Sequence, residues 1–198
     1  MHDVKFNKIL IFTNALVPLA MLFYDAFRGN LGANPVEFFL HTTGVLTLIF
    51  LLLTLSVTPF RRISGWNELV KYRRMLGLYA FFYGFLHFIT YGVFDKNFDI
   101  PAIFSDVGQR PFIAVGMLAF ALMIPLAATS TNAMIKRLGG KRWARLHRLT
   151  YAVAVLGVVH FWMIVKSDVF YPFMFGSILA CLLGWRIFAG RKAKSAVK

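Results

Sequence analysis

The chain has a single cysteine, Cys181, and it lies inside an apolar run. Neither a disulfide framework nor a thiolate metal cluster can be built from it, and it reads as a small core residue. Acidic residues are scarce: eight Asp and Glu stand against 22 Lys and Arg, for a formal charge of +14. Carboxylates are almost absent from the interiors of the apolar stretches, Asp25 sitting at an end, so the ligands that cation pathways usually use are missing. No glycine-rich phosphate loop is present. No stretch outside the apolar segments is long enough to fold as a second domain. Residues 1–198 are therefore expected to form one transmembrane domain, with any nucleotide-binding or catalytic soluble domain on another polypeptide.

What is there in quantity is hydrocarbon. The chain is 59% hydrophobic with 22 Phe, well above the roughly 45–50% apolar usage of soluble domains. Six apolar segments, at residues 9–27, 36–57, 75–94, 112–128, 149–165 and 169–188, each approach the ~20 residues that a spanning helix needs. The expected fold class is an all-α integral membrane protein of six transmembrane helices. The first segment lacks a clear small-residue cleavage site and reads as a retained helix. The surplus of positive charge is not a nucleic-acid signal, because the cations cluster beside apolar segments, as topology signals do. All but four of the 22 Lys and Arg fall on one side, the exceptions being Arg28, Lys96, Arg110 and Lys166. The positive-inside rule then puts both termini in the cytoplasm, in agreement with an even helix count.

Depth follows from the ~1.5 Å rise per helical residue. His87 lies about 18 Å up the third segment from the cytoplasmic side and His160 about 16 Å up the fifth. A histidine in hydrocarbon is expensive without a partner, and an imidazole is a good iron ligand. Two at one height, on different helices, suit the two axial positions of a heme; the alternative is a pair of polar core residues, each bonding a neighbouring helix. Gly84 and Gly157 precede His87 and His160 by three residues, one turn away, where missing side chains leave room for a macrocycle or for helix packing.

His41 falls in the outer half of the second segment, as an alternative metal ligand, a propionate contact or a quinol proton acceptor. His147 sits at the cytoplasmic mouth, 13 residues before His160 and roughly 140° away around an ideal helix. It can ligate a second, inner heme, contact a flavin, or be an interfacial histidine. Arg61, Arg62, Arg73, Arg74, Arg145 and Arg148 read first as topology determinants and lipid contacts. Their functional reading is a cradle for propionates, a flavin phosphate or an acidic redox protein. Trp66, Trp143, Trp162 and Trp185 suit the membrane interface, and Pro125 suits a tolerated kink. The connector 94–111, with Phe98, Ile100, Ile103 and Phe104, either docks an outer partner or lies among headgroups.

The runs LTLSVTPFRRISGWNELVKYRRMLGLYAFFYGFLHFITY and LAATSTNAMIKRLGGKRWARLHRLTY, with the continuation to His160, resemble the heme-binding membrane subunits of the bacterial methionine sulfoxide reductase system. That family belongs to the ferric-reductase-like transmembrane group, which includes the membrane part of NADPH oxidases. The resemblance implies a heme b protein of the bacterial inner membrane, an electron-transfer subunit rather than a catalytic one. It implies electrons drawn from the quinone pool or a cytosolic flavin reductase, FMN as a further cofactor, and delivery to a periplasmic molybdopterin-containing methionine sulfoxide reductase that repairs oxidised proteins. The family's heme-associated histidines map onto His87, His147 and His160. The wider group carries two histidines on each of helices three and five, whereas here the position 13 before His87 is Arg74. The competing readings are a histidine-using metal-ion transporter, a stand-alone outer-face metal reductase and a structural anchor.

Overall fold

The computed structural model describes residues 3–195, and side chains through residue 190. The first helix, α1 (Val4–Phe27), starts where Asp3 Oδ1 accepts from the amide of Lys5 at 2.9 Å. α2 (Pro35–Ser64) has proline at its first position and Asn34 as its cap, with Asn34 Oδ1 accepting from the Glu37 amide. Proline there costs nothing, since its missing N–H is one that a helix start leaves unpaired anyway. α2 runs seven residues past the apolar segment, through Arg61 and Arg62, whose charges suit the negative end of the helix dipole. It stops at Gly65, which takes a left-handed φ of 72°.

A short 3-10 turn (Asn67–Leu69) leads into α3 (Val70–Thr90), which ends in a π-helical turn (Tyr91–Asp95). The connector 94–111 is not a simple loop: it contains α4 (Ile100–Gln109), capped by Asp99 Oδ1 on the Ala102 amide. α5 (Pro111–Ala128) follows directly. Two short helices, α6 (Asn132–Leu138) and α7 (Gly140–Leu146), fill the basic connector before α8 (Leu149–Ile164) and α9 (Phe170–Ser195). Among the described residues, six helical segments are long and apolar enough to cross a membrane, and no strand is present. The all-α, six-span expectation holds.

The most extensive helix pairings are α2 with α3 and α5 with α8, and α3 against α5 and α2 against α8 close these into a four-helix core. α1 rests on α3, and α9 on α2 and α8. Leu55, Ala80 and Tyr83 are completely buried in the centre. Phe50 stacks on Tyr83 with ring centres 5.5 Å apart. Two tyrosine hydroxyls of α3 donate to carbonyls of α1: Tyr83 to Ala15 at 2.5 Å and Tyr79 to Phe12 at 2.8 Å. No water is available in a bilayer core, so a buried hydroxyl must find such a partner, and here it ties two helices together. Cys181 is exposed on α9 rather than packed in the core, because that helix turns only one face to the bundle.

Candidate functional site

The four core helices enclose a cavity of about 470 Å³. Its wall is mostly apolar, with Leu48, Phe88, Phe120 and Phe161 among the lining side chains, and His41, His87 and His160 facing it. Each of the two deep histidines is tethered by one ring nitrogen. His87 Nδ1 lies 2.9 Å from the carbonyl oxygen of Leu40 in α2, and His160 Nδ1 lies 2.6 Å from that of Phe112 in α5. A carbonyl only accepts, so Nδ1 carries the hydrogen in both rings. The lone pair is left on Nε2, the arrangement that a histidine needs in order to ligate a metal.

The two rings stand 6.2 Å apart, centre to centre, and perpendicular at 89°. A first-row metal binds an imidazole nitrogen at about 2 Å, and the ring centre lies about 1 Å behind it, so two rings trans on one metal have centres about 6 Å apart. The observed separation matches. Gly44 and Gly116 lie against the histidine rings: a Cβ on Gly116 would sit 2.7 Å from His160 Cε1, and one on Gly44 would sit 3.2 Å from His87 Cε1. Gly84 and Gly157 line the same cavity, facing Met123 and Leu48 respectively.

His41 reaches the cavity from an exposed position, its ring 5.9 Å from that of Phe161. It is not brought into the pair. At one mouth of the cavity, Tyr91 donates to Asp106 Oδ2 at 3.1 Å, and Lys96 Nζ sits 2.6 Å from the same oxygen. Arg110 Nε is 3.6 Å from Asp106 Oδ1. The Lys96 ammonium, ahead of the Tyr91 hydrogen bond, holds the Asp106 carboxyl below its usual range against the opposing effect of burial.

His147 belongs to a different place. It closes α7, its ring stacked on Trp143 at 4.0 Å, and its Nε2 lies 3.1 Å from Thr129 Oγ1. Trp143 Nε1 donates to the Thr129 carbonyl at 2.9 Å. A second cavity of about 240 Å³ opens beside it, lined by Arg73, Arg74, Trp143 and His147. Arg74 Nη1 is bonded to Asn132 Oδ1. Leu51 and Met123 line both cavities and separate them. Of the basic cradle, only Arg73 and Arg74 line this cavity. Arg62 instead packs over Trp185, and Arg186 donates to Tyr151 and to the Leu55 carbonyl.

Gly44, Gly116 and the carbonyls of Leu40 and Phe112 are parts of the site that reading side chains alone does not reveal. The one available signal is a glycine four residues after an apolar residue in the apolar segment preceding each histidine segment.

A membrane bundle with two neighbouring histidines, each tethered through Nδ1 at a largely apolar cavity, defines a class: membrane-embedded helical bundles with an intramembrane histidine site. The comparisons agree with that class. Residues 42–158 match the family model described as the ferric reductase like transmembrane component, a span that includes His87 and His147. A protein of Herminiimonas arsenicoxydans is 52% identical over 91% of this chain and 84% of its own length. One of Bordetella pertussis is 47% identical over 96% and 93%, and one of Rhodospirillum rubrum 46% over 92% and 88%. All three carry the name protein-methionine-sulfoxide reductase heme-binding subunit MsrQ. The chain belongs to this MsrQ family, within the ferric-reductase-like transmembrane group.

Proposed function

We propose that this chain is the heme-binding membrane subunit of a bacterial methionine sulfoxide reductase system, with heme b held between His87 and His160. The observation that carries the assignment is the 6.2 Å spacing of two rings whose Nδ1 hydrogens are both committed to carbonyls. The residues fit the group: two free Nε2 atoms, two glycines where a Cβ would strike the ligand rings, and an apolar cavity between four helices. A heme bound there supplies one-electron chemistry between ferric and ferrous iron.

The chain's own residues do the rest. His87 and His160 present Nε2 from α3 and α8, and the carbonyls of Leu40 and Phe112 keep the rings from turning. Leu48, Phe88, Phe120 and Phe161 exclude water, which disfavours added charge and discourages side reactions. Arg110, at the rim, is the cation placed to meet an acidic group. His41 lines the cavity wall as a polar contact rather than an axial ligand.

The physiological role follows from the family and the charge distribution together. Both termini lie in the cytoplasm of a bacterium with the chain in its inner membrane, and residues 1–198 work as one domain. Electrons are taken from the quinone pool or a cytosolic flavin reductase and delivered to a periplasmic molybdopterin-containing methionine sulfoxide reductase, in support of protein repair. The cavity at His147, Arg73 and Arg74 is the donor-side station. FMN is a further cofactor by family resemblance, with no residue assigned to it. A metal-transport role finds less support, since no three His, Cys, Asp or Glu converge among the described residues.

The test is reconstitution of the full chain in lipid vesicles with the reductase subunit on the outside and a reduced quinone in the membrane. Methionine sulfoxide should be consumed only when both proteins are present. Consumption at an equal rate without this chain would defeat the proposal.

A further inference from the structure

His87 and His160 are held by the same three-part device on two different helix pairs. In each, a helix carbonyl takes the Nδ1 hydrogen and the residue four positions further along that helix is glycine: Leu40 with Gly44 in α2, Phe112 with Gly116 in α5. The carbonyl and its histidine are 47 residues apart in the first pair and 48 in the second. The α2–α3 and α5–α8 pairs therefore repeat each other around the cavity, although the side chains along them do not.

The glycines have a physical reason to be there. In an α-helix the Cβ of residue i+4 leans back over the carbonyl of residue i. This chain displays the effect: Thr43 Oγ1 reaches the Phe39 carbonyl at 2.7 Å, Thr47 the Thr43 carbonyl at 2.8 Å and Thr54 the Phe50 carbonyl at 2.7 Å. A side chain at i+4 thus occupies the approach to that oxygen, and glycine clears it for a donor from another helix. The carbonyl's second lone pair then takes the imidazole hydrogen while the helix bond stays in place.

The two halves are not equally tight. A Cβ on Gly116 would meet Cε1, Nδ1 and Nε2 of His160 at 2.7, 2.8 and 3.2 Å, an overlap that the packed ring cannot accept unmoved. On Gly44 the nearest ring atoms, Cε1 and Nδ1 of His87, would be at 3.2 Å. The tether at His160 is also the shorter, 2.6 against 2.9 Å. Gly84 in the same cavity meets nothing nearer than 3.5 Å, so proximity to the cavity does not by itself demand glycine.

We infer that Gly44 and Gly116 are positioning residues that set the redox potential of the site, with Gly116 the dominant one. This rests on the reading of His87 and His160 as the axial ligands. A hydrogen bond from Nδ1 raises the basicity of Nε2 and so favours the ferric state over the ferrous. A Cβ that pushes the ring off its carbonyl weakens that bond, and the potential rises.

The experiment is a redox titration and a low-temperature EPR spectrum of the full-length protein in detergent, for wild type, Gly44→Ala, Gly116→Ala and Gly176→Ala. Gly176 is the control, because it faces only Val158 at 3.6 Å and lines neither cavity. Gly44→Ala should keep its heme with a raised midpoint and a shifted low-spin signal. Gly116→Ala should show a larger rise, up to about tenfold in the ferric-to-ferrous preference, or about 59 mV for one electron, or conversion to high spin. Gly176→Ala should match wild type. A wild-type midpoint and signal in Gly44→Ala and Gly116→Ala, with heme bound, would overturn the inference. Failure of the ligand reading is a different result: heme retained with a wild-type spectrum in His87→Ala or His160→Ala.

Discussion

Lys96 Nζ lies 2.6 Å from Asp106 Oδ2, joining the turn that ends the third span to α4. Tyr91 donates to the same carboxylate and Arg110 approaches its other oxygen, so one acid gathers three groups at a mouth of the cavity. The Lys96 hydrogen bond comes first among the causes that lower the Asp106 pKa. A carboxyl depressed in the folded state contributes stability that is present above its unfolded value, about 4, and is lost as pH falls through the lower folded value. Wild type should thus lose thermal stability on acidification below about pH 4. Asp106→Asn should already be less stable at pH 7, by about 1–2 kcal/mol for a lost charged hydrogen bond, and should show a smaller loss on acidification. Thermal melts of the detergent-solubilised protein at pH 7 and pH 3.5 measure both, and equal acid sensitivity in the two proteins would contradict the assignment.

The hydroxyls of Tyr83 and Tyr79 hold α1 against the core from one side only. Removing either leaves an α1 carbonyl with its helical bond alone, so the penalty is modest. Tyr83→Phe and Tyr79→Phe should each destabilise by about 1 kcal/mol, and because the two rings lie one turn apart and both stack on Phe50 the double variant should depart from simple additivity. The visible spectrum should not change, because neither tyrosine lines the cavity. Unfolding in mixed detergent micelles, read alongside the spectrum, checks both parts.

His147 is fixed by Thr129 and by stacking on Trp143, away from the His87–His160 pair. His147→Ala should keep the low-spin signal of that pair at full strength. Reduction by an inner-side donor should slow, by tenfold or more if the ring lies on the entry route. Stopped-flow reduction with a water-soluble quinol analogue, compared with direct dithionite reduction, separates donor-side loss from damage to the site. A fall in heme per polypeptide would instead show that His147 is a ligand.

Much of the architecture was readable from the chain because membranes impose a simple rule: about 20 apolar residues to cross. The six segments follow from that rule, and helical rise puts His87 and His160 at matching heights on two helices, in keeping with the 6.2 Å between their rings. The parts that could not be read are those carried by the backbone. Nothing in the letters of Leu40 or Phe112 says that their carbonyls accept from a histidine 47 or 48 residues on. In sequence Gly44 and Gly116 are indistinguishable from the other glycines of the 15, and only the packing of a histidine ring against each sets them apart. The helix in the connector 94–111 is hard to read from sequence for a related reason: ten residues with two spanning neighbours leave no room for a long periodic pattern, and only the Asp99 cap and Pro101 mark its start. Cys181 is exposed rather than a core residue because an apolar run in a membrane protein faces lipid as readily as core.

His87 and His160 are proposed to hold one heme between them. The direct test is a reduced-minus-oxidised visible spectrum of the purified full-length protein, with heme quantified per polypeptide, for wild type, His87→Ala, His160→Ala and His41→Ala. The account predicts a low-spin b-type signal in wild type and in His41→Ala, and its loss in each of the other two. A wild-type protein without heme when expressed with ample heme, or an unchanged low-spin signal in His87→Ala or His160→Ala, would contradict it.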